Sequence, residues 1–130
     1  MEECILCKIT EGSIPSHKVY EDENTLAIMD IHPIQDGHVL AFTKKHVEAF
    51  EQLEEDDFAN LMRTVHKVSN RIKSVLTPPK VGIVIEGFDV PHVHVKVIPI
   101  SNEVELRHIP NMKAEPDHEV LAQMASKLAI

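Results

Sequence analysis

The segment His92-Val93-His94-Val95-Lys96-Val97 alternates strictly, and this constrains the fold more than any other feature of the chain. A period of two marks a β-strand, whose successive side chains leave on opposite faces. Val93, Val95 and Val97 therefore share one face, and His92, His94 and Lys96 share the other. Neighbours on a face lie roughly 6–7 Å apart. The valine face requires an apolar partner. Phe58, Leu61, Met62, Val65, Val68, Ile72, Val75 and Leu76 recur at helical spacing and predict one long helix that supplies it. Glu55, Asp56 and Asp57 suit the positive N-terminal end of that helix, and Pro78-Pro79 stops it.

The remaining punctuation places the other elements. Cys4 to Gly12 reads as a short helical turn. Lys18 to Glu21 and Thr25 to Asp30 read as two strands joined at Asp22-Glu23-Asn24. Ile31 to Gly37 is a loop and His38 to Thr43 a third strand. Lys80 to Glu86 and His92 to Ile98 complete five strands, and Asp117 to Leu128 reads as a terminal helix. The order predicts an α+β fold: a mainly antiparallel sheet of about five strands, one long helix and short terminal helices.

The polar face of the alternating strand has two readings. It is a solvated face, or it carries chemistry. Like charges in register repel unless an anion or metal sits among them, which favours the second. A chain of 130 residues fits one domain, and the formal charge of −8 argues against strong nucleic-acid binding. A small phosphorylated ligand remains compatible, because one local donor cluster is enough to bind it. The acidic start Met1-Glu2-Glu3-Cys4 lacks a signal-peptide pattern, and no run approaches a membrane span. The expected location is the cytoplasm, where the pair Cys4 and Cys7 reads as metal-binding or redox-active.

These motifs together resemble the histidine triad family of nucleotide hydrolases and transferases, whose signature alternates three histidines with apolar residues. The likeness extends to Cys4-Ile5-Leu6-Cys7-Lys8-Ile9, Ile14-Pro15, Tyr20-Glu21-Asp22-Glu23, Leu26-Ala27-Ile28-Met29-Asp30-Ile31, Gly37-His38-Val39-Leu40 and Lys44-Lys45-His46. It covers nearly residues 3 to 100. Residues 1–100 are thus expected to form the family domain. Residues 101–130 would form a tail whose short helix packs on or near it.

The resemblance implies that His94 attacks an α-phosphate and forms a nucleotidyl-histidine, which water then hydrolyses. Neutral imidazole is a good nucleophile at neutral pH, provided something holds its other nitrogen. His38 would orient the cluster, with His92 and Lys96 beside the nucleophile. Asp30 would accept hydrogen bonds from ribose hydroxyls. Ile5, Leu6, Ile9, Ile14, Ile28, Met29 and Ile31 would line a base pocket, though ordinary core is the competing reading for each. Three positions depart from the family pattern. Lys96 stands at the third histidine, Ile85 stands where relatives carry a substrate-contacting asparagine, and Gly87-Phe88-Asp89-Val90 replaces a leaving-group donor stretch. Asp89 donates there only if protonated.

The resemblance also implies a structural zinc on Cys4, Cys7, His46 and His92, a common set of two sulfurs and two nitrogens. His17, His32, His66, His108 and His118 are expected to be surface or packing residues. A homodimer acting on a small-molecule nucleotide is the expected assembly. Two alternatives stay open: a metal-dependent hydrolase with His92 and His94 as ligands, and a nucleotide-binding module without turnover.

Overall fold

The computed structural model describes residues 4–130, so the acidic start at residues 1–3 lies outside it. Helix α1 spans Ile5–Glu11, and strands β1, β2 and β3 span Lys18–Glu21, Thr25–Met29 and Val39–Thr43. The long helix α2 is Glu55–Leu76, followed by β4 (Lys80–Val84), β5 (His94–Ile100) and the terminal helix α3 (His118–Leu128). Two 3-10 turns, Phe50–Gln52 and Glu103–Arg107, are additions to the sequence reading. The five strands form one antiparallel sheet in the order β1-β2-β3-β5-β4.

Three boundaries differ from expectation. Helix α2 begins at Glu55, not Phe58, so its three acidic residues form the first turn itself, where the backbone N–H groups are unpaired. Strand β4 stops at Val84, which leaves Ile85 and Glu86 in the loop. Strand β5 begins at His94, because His92 sits in a bend whose N–H donates to the Val90 carbonyl at 2.8 Å.

The sheet is covered on both sides. On one side Val93, Val95 and Val97 pack with Leu61, Val65, Val68 and Ile72 of α2, as the alternation requires. Leu121, Ala125 and Leu128 of α3 join that core, and Ile130 N–H donates to the Val19 carbonyl at 3.0 Å. On the other side α1 lays Cys4, Leu6, Cys7 and Ile9 over Leu26, Ile28 and Phe42. A solvated polar face on β5 is therefore excluded: His92 is 0% exposed and His94 3%. The sequence does carry a signal for the second layer. Strand β2 is apolar or threonine at every position and buried throughout, the pattern of a strand with no solvent face.

Candidate active site and metal centre

Three short polar features bring the histidines to two sites. The first lies under α1. The Cys4 thiol caps this helix, accepting from the Cys7 N–H at 3.4 Å, so both sulfurs sit on the first turn. Cys4 Sγ lies 3.3 Å from His92 Nδ1, and Cys7 Sγ lies 3.2 Å from His46 Nδ1 and 3.5 Å from His92 Nδ1. The two Nδ1 atoms are 3.2 Å apart. All four ligand atoms fall within 4.8 Å of one another. A tetrahedral ion with sulfur at about 2.3 Å and nitrogen at about 2.0–2.1 Å separates its ligands by roughly 3.3–3.8 Å.

The donor chemistry fits a metal as well as the spacing does. His92 Nε2–H donates to the Thr43 carbonyl at 2.7 Å, which leaves the Nδ1 lone pair facing the sulfurs. Burial lowers the His92 pKa against the opposing pull of the Thr43 carbonyl, so the ring is neutral, the form that ligates. Burial and then the Cys4 hydrogen bond push the Cys7 thiol up to about 11. A coordinated cation inverts that, since a coordinating thiol deprotonates. Both cysteines are unbridged and buried. The set Cys4, Cys7, His46 and His92 can hold a metal ion.

The second site is a cavity of about 510 Å³ on the same side of the sheet. His94 and Lys96 of β5 border it, as do His38 and Asp30 at the facing ends of β3 and β2. His94 Nδ1–H donates to the carbonyl of His92 at 2.7 Å. The lone pair of Nε2 is therefore free, with Asp89 Oδ1 at 3.6 Å. The backbone carbonyl that holds the nucleophile belongs to the residue that anchors the metal site. His38 Nδ1 accepts from the Ile34 N–H at 3.1 Å, which places its proton on Nε2, 3.5 Å from Asp30 Oδ2. Burial, with the charges of Lys96 and His94 adding, lowers His38 to about 3, so it is a neutral donor. Asp30 Oδ1 accepts from the His32 N–H at 2.8 Å, and burial raises the Asp30 pKa despite that bond. Lys96 Nζ pairs with Glu86 Oε1 at 3.1 Å. Burial raises the Glu86 pKa, but the Lys96 hydrogen bond and the Phe88 amide outweigh it, and the net shift is down.

The same cavity is bordered by Ile5, Leu6, Ile9, Ile14, Ile28, Met29, Ile31 and Asp89. Met29 only borders it, because its side chain packs in the core on the α2 side. His92 is absent from the lining: one ring nitrogen faces Thr43 and the other the cysteines. This geometry removes the reading in which His92 and His94 share one catalytic metal. Sequence reasoning missed Leu40, Val90 and Ile34, and it missed Ile109, Pro110 and Met112 of the tail. Leu40 is legible from register, since it pairs with both Ile28 and Lys96. The tail residues carry no such signal, because a loop has no period. Of the other histidines, His17 Nε2 and His118 Nδ1 lie 2.9 Å apart on the surface, and His108 Nδ1 lies 2.9 Å from Gln35 Oε1.

An α+β sheet that aims a buried, oriented imidazole into an apolar cleft, over a cysteine–histidine cluster, defines a class of protein by fold and site together. The HIT domain matches residues 11–103, and the chain belongs to the HIT family. It is 41% identical over 101 residues to an uncharacterized HIT-like protein of Methanocaldococcus jannaschii, covering 74% of this chain and 78% of that one. It is 35% identical over 102 residues to an adenosine 5'-monophosphoramidase of Schizosaccharomyces pombe, covering 77% and 76%. The crystal structure of a zinc-bound histidine triad family protein from Mycobacterium smegmatis superimposes with a TM-score of 0.76 at 26% identity, covering 98% of this chain and 96% of that one. Among the described residues, no helix is long and apolar enough to cross a membrane.

Proposed function

We propose that the chain is a nucleotide hydrolase or transferase acting at the α-phosphate of a nucleoside phosphoramidate or dinucleoside polyphosphate. The observation that carries this reading is the hydrogen bond from His94 Nδ1 to the His92 carbonyl at 2.7 Å, which frees Nε2 toward the cleft. Nε2 forms a bond to phosphorus while the bond from phosphorus to the leaving group breaks. The electron pair of that bond departs with the leaving group, which takes a proton from solvent. Water then attacks phosphorus, the P–Nε2 bond returns its pair to the imidazole, and the water proton goes to solvent. Lys96 hydrogen-bonds the phosphoryl oxygens, and His38 donates from Nε2 at the edge of the cleft. The isoleucines of α1, β2 and the following loop take the base, and Asp30 takes the ribose hydroxyls.

Cys4, Cys7, His46 and His92 would hold zinc, whose role there is structural. The zinc-bound relative and the spacing of the four ligand atoms support this. The unbridged thiols support a cytoplasmic setting, and the edge position of β4, with Ile83 exposed, supports a homodimer joined along it. Mass spectrometry after brief incubation with an adenosine phosphoramidate tests the chemistry. An adenylate mass on His94, absent in His94→Ala, is the expected result. Turnover unchanged in His94→Ala would overturn it. A second reading, nucleotide binding without turnover, is favoured by the pairing of Lys96 with Glu86, which ties up the cation beside the nucleophile. Calorimetric AMP binding with no adduct from any donor would establish that reading instead.

A further inference from the structure

We infer that Glu86 and Asp89 select the leaving group, favouring amines that carry a positive charge and rejecting sulfate, phosphate and polyphosphate. The inference rests on the reading of His94 as nucleophile and names the substrate class of that site.

The cleft is chemically polarised. Its inner end is aliphatic, built from Ile5, Ile9, Ile14 and Ile28, and its outer end carries Asp89, which is 57% exposed. A nucleotide with its base among the isoleucines and its ribose at Asp30 presents phosphorus to His94. The leaving group must depart opposite Nε2, into the remaining open end of the cleft, past Glu86 and Asp89. One oxygen of each and His94 Nε2 lie within 4.8 Å of one another.

The charges there do not cancel. Glu86 is paired with Lys96 at 3.1 Å. Asp89 is paired with no lysine or arginine among the described residues, and its one close titratable neighbour is His94 Nε2 at 3.6 Å. One negative charge is left over before the substrate phosphoryl group adds its own. The turn that carries these carboxylates is shaped to bring them back over the nucleophile. Gly87 adopts φ +71, where a side chain would be strained, and Glu86 Oε2 accepts from the Phe88 N–H at 3.3 Å. Lys96, held by Glu86, is not free to bridge the oxygens of a polyphosphate. An anionic leaving group therefore meets Asp89 with like charge, both on binding and as its bond breaks. An ammonium there finds the missing counter-charge. A unit charge about 5 Å away across a solvent-exposed mouth changes kcat/KM by about ten-fold.

The test compares three donors on the full-length protein: AMP joined to a neutral alkylamine, AMP joined to an alkyl diamine with a free ammonium, and adenosine 5'-phosphosulfate. Wild type is expected to prefer the diamine donor over the phosphosulfate by about a hundred-fold, with the neutral donor between. Asp89→Asn should compress that ratio by about ten-fold, and added salt should compress it in wild type but little in the variant. An unchanged ratio in Asp89→Asn, or a wild-type preference for the phosphosulfate, overturns the inference. Turnover with a His94 adduct but without charge preference sinks the leaving-group assignment alone. Loss of turnover for all three donors with no adduct sinks the nucleophile reading and this assignment with it.

Discussion

Lowering the pH from 7 to 5 should destabilise this protein through His38. The ring is 1% exposed, and its Nδ1 accepts the Ile34 N–H, so protonation there breaks a buried hydrogen bond. Its pKa is about 3 in the fold against an ordinary value of 6.5. Between those two values the unfolded chain takes up a proton that the native state refuses. Stability therefore falls as pH falls, at about 1.4 kcal/mol per pH unit once below the unfolded pKa. The contribution is fully present above pH 6.5 and costs about 2 kcal/mol by pH 5. Glu21, Asp22 and Glu86, whose pKa values are lowered, act only below the ordinary carboxylate range and do not confuse this window. Asp30 works in the opposite direction, since its raised pKa favours the native state on acidification. His38→Asn keeps an acceptor for Ile34 and cannot titrate. Urea unfolding of both proteins at pH 7, 6 and 5 gives the measurement. The variant should lose about 2 kcal/mol less than wild type between pH 7 and 5. Equal slopes for the two would refute a buried, neutral His38.

Three further outcomes are expected. Cys7→Ser should reduce bound zinc from one ion per chain toward none and lower the melting midpoint by about 10 °C, read by elemental analysis and a thermal scan; an unaltered metal content would remove the proposed ligand set. Gly37→Ala should cost about 1–2 kcal/mol in urea, because Gly37 holds φ +91 and a Cβ there meets Leu76 Cδ1 at 2.6 Å. Leu128→Ala should cost about 2–5 kcal/mol, as for a core leucine, since this side chain is 0% exposed beneath α3. A near-neutral result would mean the tail helix is dispensable to the fold.

The sequence by itself determined what depends on local period and chain order. The alternation over residues 92–97 set the faces of β5, and the 3.6-residue stripe of α2 set what covers the valines. Both follow from backbone geometry that any strand or helix imposes. The motifs around His94, Asp30, His38 and the cysteines named the residues that gather at the two sites. Sequence could not decide how those residues divide. His92 and His94 share one face of the chain, yet a bend before β5 turns the first to Cys4, Cys7 and His46 and leaves the second in the cleft. Nor could it decide that α1 buries the polar face, or that Ile109, Pro110 and Met112 close the cleft from the tail. Those outcomes rest on contacts between residues about 40 to 90 positions apart. No local periodicity encodes such contacts; they are fixed only when the sheet, with both its faces covered, is assembled.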